Sequence, residues 1–414
     1  MLIVHTADVH IGVENYGRPD PLTKTSSRLQ DFLNTLDEVV EYSVSNQADI
    51  VLFCGDAHKS RNPSQTHQRE FAARISTLAS NDIQVFLLAG NHDAPNIPGP
   101  ATALDIFPTL GVGNVHTGDT LKTHLVETRS GPLQIVSVPW IRKGQFMCSL
   151  GIGDNNPSQL NESIETLLTQ AIQANAEALD PSIPAVLSGH LSVDSAKTSS
   201  ETSMMLGKDY LLLKSSIALP QFDYVALGHI HRHQELNLSP RVVYPGSLQR
   251  IDFGEEKDTK GFCVIDIDPT ESPGKRERSY KFVEVNARKF LTIKSTISDE
   301  DPNPTQTIIS EIANHNVQEA IIQVLIDTPA SKYQDIDEKL IRGALEESHF
   351  VATVRKNLIS ESRNRLGKDI SEKIEPLEAL ETYLTERGVT GKKREQLLNK
   401  GKLLISEHSQ SNTL

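Results

Sequence analysis

The chain has 414 residues, enough for two or three domains with cores of their own. Hydrophobic residues at 37% and charged residues at 23% exclude wholesale disorder, and no run of about 18 apolar residues offers a transmembrane helix. A net charge of −13 excludes a simple basic nucleic-acid binder, and three scattered cysteines (Cys54, Cys148, Cys263) exclude a disulfide framework or a thiolate zinc site.

In chain order, the apolar run Leu2–His5 reads as a strand and leads into Asp8-Val9-His10. The polar His5 and Asp8 so near the start do not suit a secretory leader, and a cytoplasmic location with no membrane association is expected. A helix follows, with Ser27 and Gln30 as a capping box and Leu29, Phe32, Leu33, Leu36 and Val40 at helical spacing. Strands are expected at Ile50–Phe53, leading into Gly55-Asp56, and at Val85–Ala89, leading into Gly90-Asn91-His92-Asp93. Strand Leu133–Val138 and a helical pattern through Ile164, Leu167, Leu168, Ala171 and Ile172 come next. Ala185–Ser188 then leads into Gly189-His190, and Tyr224–Leu227 into Gly228-His229-Ile230-His231. Val242–Tyr244 and Phe262–Ile265 close this part, whose strand–helix alternation predicts an α/β fold.

A polar stretch at 268–288, containing DPTESPGKRERSYK, reads as a boundary. The expected organisation is therefore 1–268, a small α+β domain at 287–370 with strands Ile321–Ile326 and Phe350–Val354, and a helical tail at 371–414. Charge supports the division. Residues 287–414 hold 18 Lys and Arg against 20 Asp and Glu, and residues 1–286 hold 23 against 34. Eleven of the fourteen histidines precede residue 240, so metal chemistry belongs to the acidic first part.

Each chemically informative cluster sits just after a predicted strand, where α/β folds bring functional loops to one edge. Two Asp, one Asn and four His form an oxygen and nitrogen set suited to Mn, Fe or Zn rather than Mg or Ca. Two such cations about 3.5–4 Å apart clamp a phosphate and activate water for in-line attack. Any one fragment is common by chance. Five in this order, each at a strand end, are not.

The ordered pattern DxH…GD…GNHD…GH…GHxH resembles the calcineurin-like metallophosphoesterases. Within them, MLIVHTADVHIG, GHIH and YPGSLQRIDFGEEKDTKGF (244–262) look like the SbcD-type nuclease subunits. The resemblance implies a metallophosphoesterase-type sheet sandwich flanked by helices. It further implies one metal on Asp8, His10 and His231, a second on Asn91, His190 and His229, and Asp56 bridging both. His92 would be the acid, with Asp93 orienting its imidazole. It implies a Mn-dependent 3′-to-5′ exonuclease on duplex ends that also cuts single strands and hairpins. The implied assembly is a homodimer within a heterotetramer with an SbcC-like coiled-coil ATPase, the small domain capping the nuclease domain and binding DNA. The chain has no GxxxxGK[ST] loop, so any ATP dependence comes from elsewhere. A phosphatase of small nucleotides or phosphoproteins and a non-cutting scaffold for DNA ends stay open as alternatives.

Members of the family often place an aromatic residue and then Asp or His after the GD; here the run is Ala57-His58-Lys59, and His58 is expected outside the ligand set. Lys59, Arg61 and Arg28 are candidates for DNA phosphate contact, against the plainer reading of solvated loop residues. His116 and His124 read as surface residues, His233 as structural, and Trp140 as core. In the tail, Leu397, Leu398, Leu403 and Leu404 interrupt a lysine-rich run and suit docking on a partner.

Overall fold

The computed structural model describes residues 1–21, 24–94, 101–142, 157–198, 210–359, 376–387 and 389–411. The chain falls into two compact units. The first comprises Met1–Ile293, Ile312–Val324 and Arg342–Val354, the second Lys294–Glu311, Leu325–Ile341 and Arg355–Leu414.

In the first unit, strands β1 (Leu2–Thr6), β2 (Ile50–Cys54), β3 (Gln84–Leu88) and β4 (Val115–Gly118) run parallel, joined by helices α1 (Ser27–Ser45), α2 (Gln65–Ser80) and α3 (Ile106–Thr109). Then come β5 (Lys122–Thr128), β6 (Gly131–Val138), α4 (Pro157–Glu177), β7 (Ala185–His190), the short pair β8 (Ser192–Val193) and β9 (Leu211–Leu212), and α5 (Lys214–Ile217). β10 (Tyr224–Gly228), β11 (Gln234–Leu238) and β12 (Arg241–Tyr244) finish a second sheet, and β13 (Gly261–Ile267) and β14 (Glu277–Glu284) return to the first. The strand orders are β14-β13-β1-β2-β3-β4 and β11-β12-β10-β7-β6-β5.

The central strands are apolar on both faces because both are covered. Ile3, Leu52 and Phe86 of the first sheet share one core with Ile135, Val186 and Val243 of the second, so the sheets pack face to face. Leu29, Leu33, Leu36 and Val40 of α1 cover the outer face of the first sheet. Ile164, Leu168 and Ile172 of α4 cover the second, while Leu167 of the expected stripe turns outward at 40% exposure. The cap of α1 is Ser26 rather than Ser27. Its hydroxyl accepts from the Arg28 amide, and the Ser27 hydroxyl accepts from the Arg18 amide. The 268–288 stretch is not a plain linker, because β14 occupies Glu277–Glu284 as an edge strand whose outward residues are polar.

Further along lie β15 (Phe290–Thr296), α6 (Pro304–Ala313), β16 (Ile321–Thr328), α7 (Glu338–Gly343) and β17 (Phe350–Leu358), with the three strands in the order β15-β16-β17. In the second unit, α8 (Pro376–Glu386) and α9 (Lys392–Ser411) pack on each other and bury Leu384. The side chains of Leu403 and Leu404, like Cys148, lie outside the described residues. Among the described residues no helix is long and apolar enough to cross a membrane.

Candidate metal centre

The clusters expected at one sheet edge come instead from the carboxyl ends of strands in two sheets. β1, β2 and β3 supply Asp8, His10, Asp56 and Asn91, and β7 and β10 supply His190, His229 and His231. The turns leaving these strands are strained. Asp8, His10, Asp56 and His229 have φ of 52°, 51°, 55° and 99°, a region that L-residues seldom occupy. Glycine allows the approach at two points. A Cβ on Gly55 would lie 2.1 Å from His190 Nδ1, and one on Gly90 would lie 2.1 Å from Asp56 Oδ1.

Asp56 sits at the centre, and its two oxygens have different work. Oδ1 accepts from the His92 amide at 2.8 Å. Oδ2 lies 3.5 Å from His190 Nε2, 3.8 Å from His10 Nε2 and 4.0 Å from His92 Nε2. On one side of it, Asp8, His10 and His231 converge, with His10 Nε2 and His231 Nε2 only 2.9 Å apart. On the other, Asn91 Oδ1 lies 2.9 Å from His190 Nε2 and 3.1 Å from His229 Nδ1. Asp8 accepts the His229 amide on both oxygens, at 3.1 and 3.0 Å, which joins the two sheets at the site.

Tautomers decide whether this set fits cations. His190 Nδ1 donates to the Cys54 carbonyl at 2.8 Å, and His231 Nδ1 donates to Glu255 Oε1 at 2.8 Å. Their Nε2 lone pairs therefore face the cluster, one onto the Asn91 oxygen and the other onto His10. A bare Nε2 lone pair on His190 repels the Asn91 oxygen at this distance unless a proton or cation lies between them, His10 can meet His231 as donor or acceptor, and the oxygen and nitrogen atoms gathered here fit divalent metal. Burial pushes Asp8 up to about 6 against the pull of His190 and His231. Burial opposes ionisation of Asp56 too, yet His190, His92 and His10 hold it far below the usual carboxylate range. Burial would depress His190, but Asp56 and Asp8 lift it to about 9.

His92 is one-third exposed at the rim, and its Nδ1 donates to the Lys59 carbonyl at 2.8 Å. The expected orienting role of Asp93 is thereby corrected: a backbone carbonyl fixes the His92 imidazole. Asp93 is buried and accepts from the amides of Gly90, Ala57 and His58, so it ties together the loops after β2 and β3. His58 is buried against Phe71 with Nδ1 3.8 Å from Asp93, outside the ligand set.

Arg28 is a second correction. Its guanidinium is fully buried, bonded to Asp31 at 2.8 Å and to the Arg250 carbonyl at 2.6 Å, and cannot reach a DNA phosphate. Lys59 is exposed and Arg61 partly so, both in the loop that carries Asp56. His116 and His124 are half-buried on strands rather than on the surface, bonded to Gln84 and Ser137. His233 stacks on Phe282 with ring centroids 4.0 Å apart.

Sequence reasoning missed two supports. Glu255, which holds His231, is itself clamped by Lys260 at 2.7 Å with both side chains fully buried, and Lys260 also donates to the His231 carbonyl and the Ser247 hydroxyl. Glu255, Lys260 and Ser247 all lie in the 244–262 motif, which has no regular ligand spacing to betray them. Trp140 is the other. It packs on the site, its ring centroid 4.8 Å from that of His229 and 6.1 Å from that of His190.

The model of the calcineurin-like phosphoesterase family matches residues 1–233, more than half of the chain, and the chain belongs to that family. The match spans every candidate ligand. The chain is similar to the SbcD component of the nuclease SbcCD from Rhodobacter capsulatus, 27% identical over 280 residues that cover 64% of this chain and 66% of that protein. It is 25% identical over 274 residues to the SbcD component from Bacillus subtilis, covering 66% and 67%. With DNA double-strand break repair protein Mre11 of Thermoplasma acidophilum the identity is 25% over 268 residues, covering 64% and 61%. The chain thus spans just under two thirds of the length of the first and third of these relatives.

Proposed function

We propose that this chain is the nuclease subunit of an SbcCD-type complex: a two-metal, Mn-dependent phosphodiesterase that degrades duplex ends 3′ to 5′ and cuts single strands and hairpins. It acts in the cytoplasm in DNA repair and recombination, as a homodimer within a heterotetramer with an SbcC-like ATPase. The observation that carries the reading is the position of Asp56 Oδ2, within 3.5–4.0 Å of imidazole nitrogens from His190, His10 and His92. The names of the relatives support DNA as the substrate.

Asp8, His10 and His231 would hold one cation, Asn91, His190 and His229 the other, and Asp56 both. Bound there, the cations would supply Lewis-acid activation of a phosphodiester and of a water. The chain's residues do the rest. Glu255 and the Cys54 carbonyl hold His231 and His190 with Nε2 inward. The Lys59 carbonyl holds His92 so that Nε2 faces the cluster, where a proton on it can pass to the leaving oxygen. Lys59 and Arg61 offer positive charge to flanking phosphates.

The test is an assay of the purified chain with Mn²⁺ on a labelled hairpin duplex, a single strand and a chromogenic monoester. DNA cleavage is expected, and hydrolysis of the monoester alone would select the phosphatase alternative. His92→Ala should retain two metals per chain by plasma emission while cleavage slows about 10²–10⁴-fold. Loss of metal along with activity would overturn its role as acid.

A further inference from the structure

Next to the metal centre is a cleft of about 270 Å³ whose walls include Ala89, Ala94, Thr102, Asp119, Trp140 and Arg142. It is built on the same elements as the site. Ala89 immediately precedes Gly90 and Asn91, and the Trp140 amide donates to the Ala89 carbonyl at 3.1 Å. The indole that lines the cleft also packs on the imidazole of His229, with centroids 4.8 Å apart, and on Tyr210, with centroids 5.3 Å apart. One aromatic side chain is therefore a wall of the cleft and a buttress of the metal centre.

Resting on the phosphodiesterase reading above, we infer that this cleft receives the unstacked base of a single-stranded nucleotide beside the scissile phosphate, with Trp140 as its stacking platform and Arg142 on the adjoining phosphate. The volume is below the range of about 300–1,000 Å³ typical of drug-sized ligands and suits a single nucleotide unit. The lining is divided as a base requires. Trp140, Ala89 and Ala94 are apolar, and Asp119 and Thr102 stand at the polar side, where base-edge N–H and carbonyl groups need partners. Arg142 makes no direct hydrogen bond or ion pair among the described residues, the Asp105 carboxylate acting on it only through space, so its guanidinium can turn to a phosphate. A base still paired in a duplex has both faces covered and cannot enter. The cleft thus favours single strands and frayed ends, and stacking tolerates any base because each has a π-face.

Trp140 is the only tryptophan in the chain, so its emission reports on the cleft without a label. The full chain, kept from cutting with EDTA, is titrated with a thymidylate tetramer and with an abasic tetramer of equal charge. Saturable quenching by the first, at an affinity at least about fivefold above that of the second, is expected. Equal quenching by both, or none by either, overturns the proposal. In Mn²⁺, the ratio of kcat/KM for thymidine 5′-(4-nitrophenyl) phosphate to that for methyl 4-nitrophenyl phosphate should fall about 5- to 150-fold in Trp140→Ala and recover in part in Trp140→Phe. A wild-type chain that hydrolyses neither diester sinks the phosphodiesterase reading. One that hydrolyses both, with a ratio unmoved by Trp140→Ala, sinks the stacking role alone.

Discussion

Glu255 shows how much of a metal site lies beyond its ligands. Its carboxylate takes the Nδ1 proton of His231 on one oxygen and the Lys260 ammonium on the other. Burial alone would raise its pKa; Lys260 and His231 instead hold it well below the usual range. Glu255→Gln keeps the shape but removes the charge, so metal affinity at the Asp8 side should fall about 10- to 100-fold. Titration with Mn²⁺ followed by electron paramagnetic resonance would measure it, and an unchanged affinity would reduce Glu255 to packing. A second residue bears on stability. Fully buried His5 donates from Nε2 to the Leu227 carbonyl at 3.1 Å and meets the Tyr224 hydroxyl through Nδ1 at 2.9 Å, an arrangement that satisfies the neutral ring. Burial pushes it down to about 3, below the 6.5 of a free imidazole. The unfolded chain therefore takes up the proton first. Stability is full above pH 6.5 and falls as the pH drops toward 3, by up to about 1.4 kcal/mol per pH unit from this group. His5→Gln, which cannot titrate, should flatten the decline in denaturant midpoints over that window.

At the scale of elements, what the sequence revealed and what it hid have physical causes. β1, β2, β3, β7 and β10 were legible because strands buried on both faces are apolar throughout, and their ends carry the ordered clusters. β5, β11 and β14 were not, because edge strands alternate or are largely polar, as the mixed burial along Glu277–Glu284 records. The ligand set was legible from local motifs. Glu255, Lys260 and Trp140 were not, since each reaches the site across the fold with no spacing to mark it. Arg28 misled for a related reason. An arginine at a helix start looks like a phosphate contact, but here it ties α1 through Asp31 and the Arg250 carbonyl to the loop before β13, and Arg288 grips the same Asp31 at 2.6 Å. Arg28→Ala should cost about 3 kcal/mol, the low end for breaking a buried pair, because Arg288 keeps Asp31 neutralised. Urea unfolding would show it. A loss of DNA affinity with stability intact would restore the phosphate role.

At the scale of the molecule, the first unit contains the whole candidate centre, and the tail contains none of it. Leu397 of α9 is 39% exposed in a strongly charged helix, which suits an apolar contact with a partner. We predict that Leu397→Asp with Leu398→Asp abolishes co-purification with an SbcC-like subunit while Mn-dependent cleavage of single-stranded DNA stays within about twofold. Binding carried by the lysines would instead vanish with added salt, since exposed ion pairs are screened over about 8–10 Å. Retained co-purification would return the tail to a solvated helix pair.

The loops after β2 and β3 also hold each other in both directions. Asp56 accepts an amide from the second loop, and Asp93 accepts two from the first. Neither loop can shift without the other, so the gap between Asp56 and Asn91 belongs to the backbone before any ion arrives. The metal is then a guest of the fold and not its template, unlike small domains that are unfolded without their ion. Stripped of cations, the chain should keep its near-ultraviolet circular dichroism and regain activity on readdition with no refolding lag. A slow return would mean that the ion helps to set the loops.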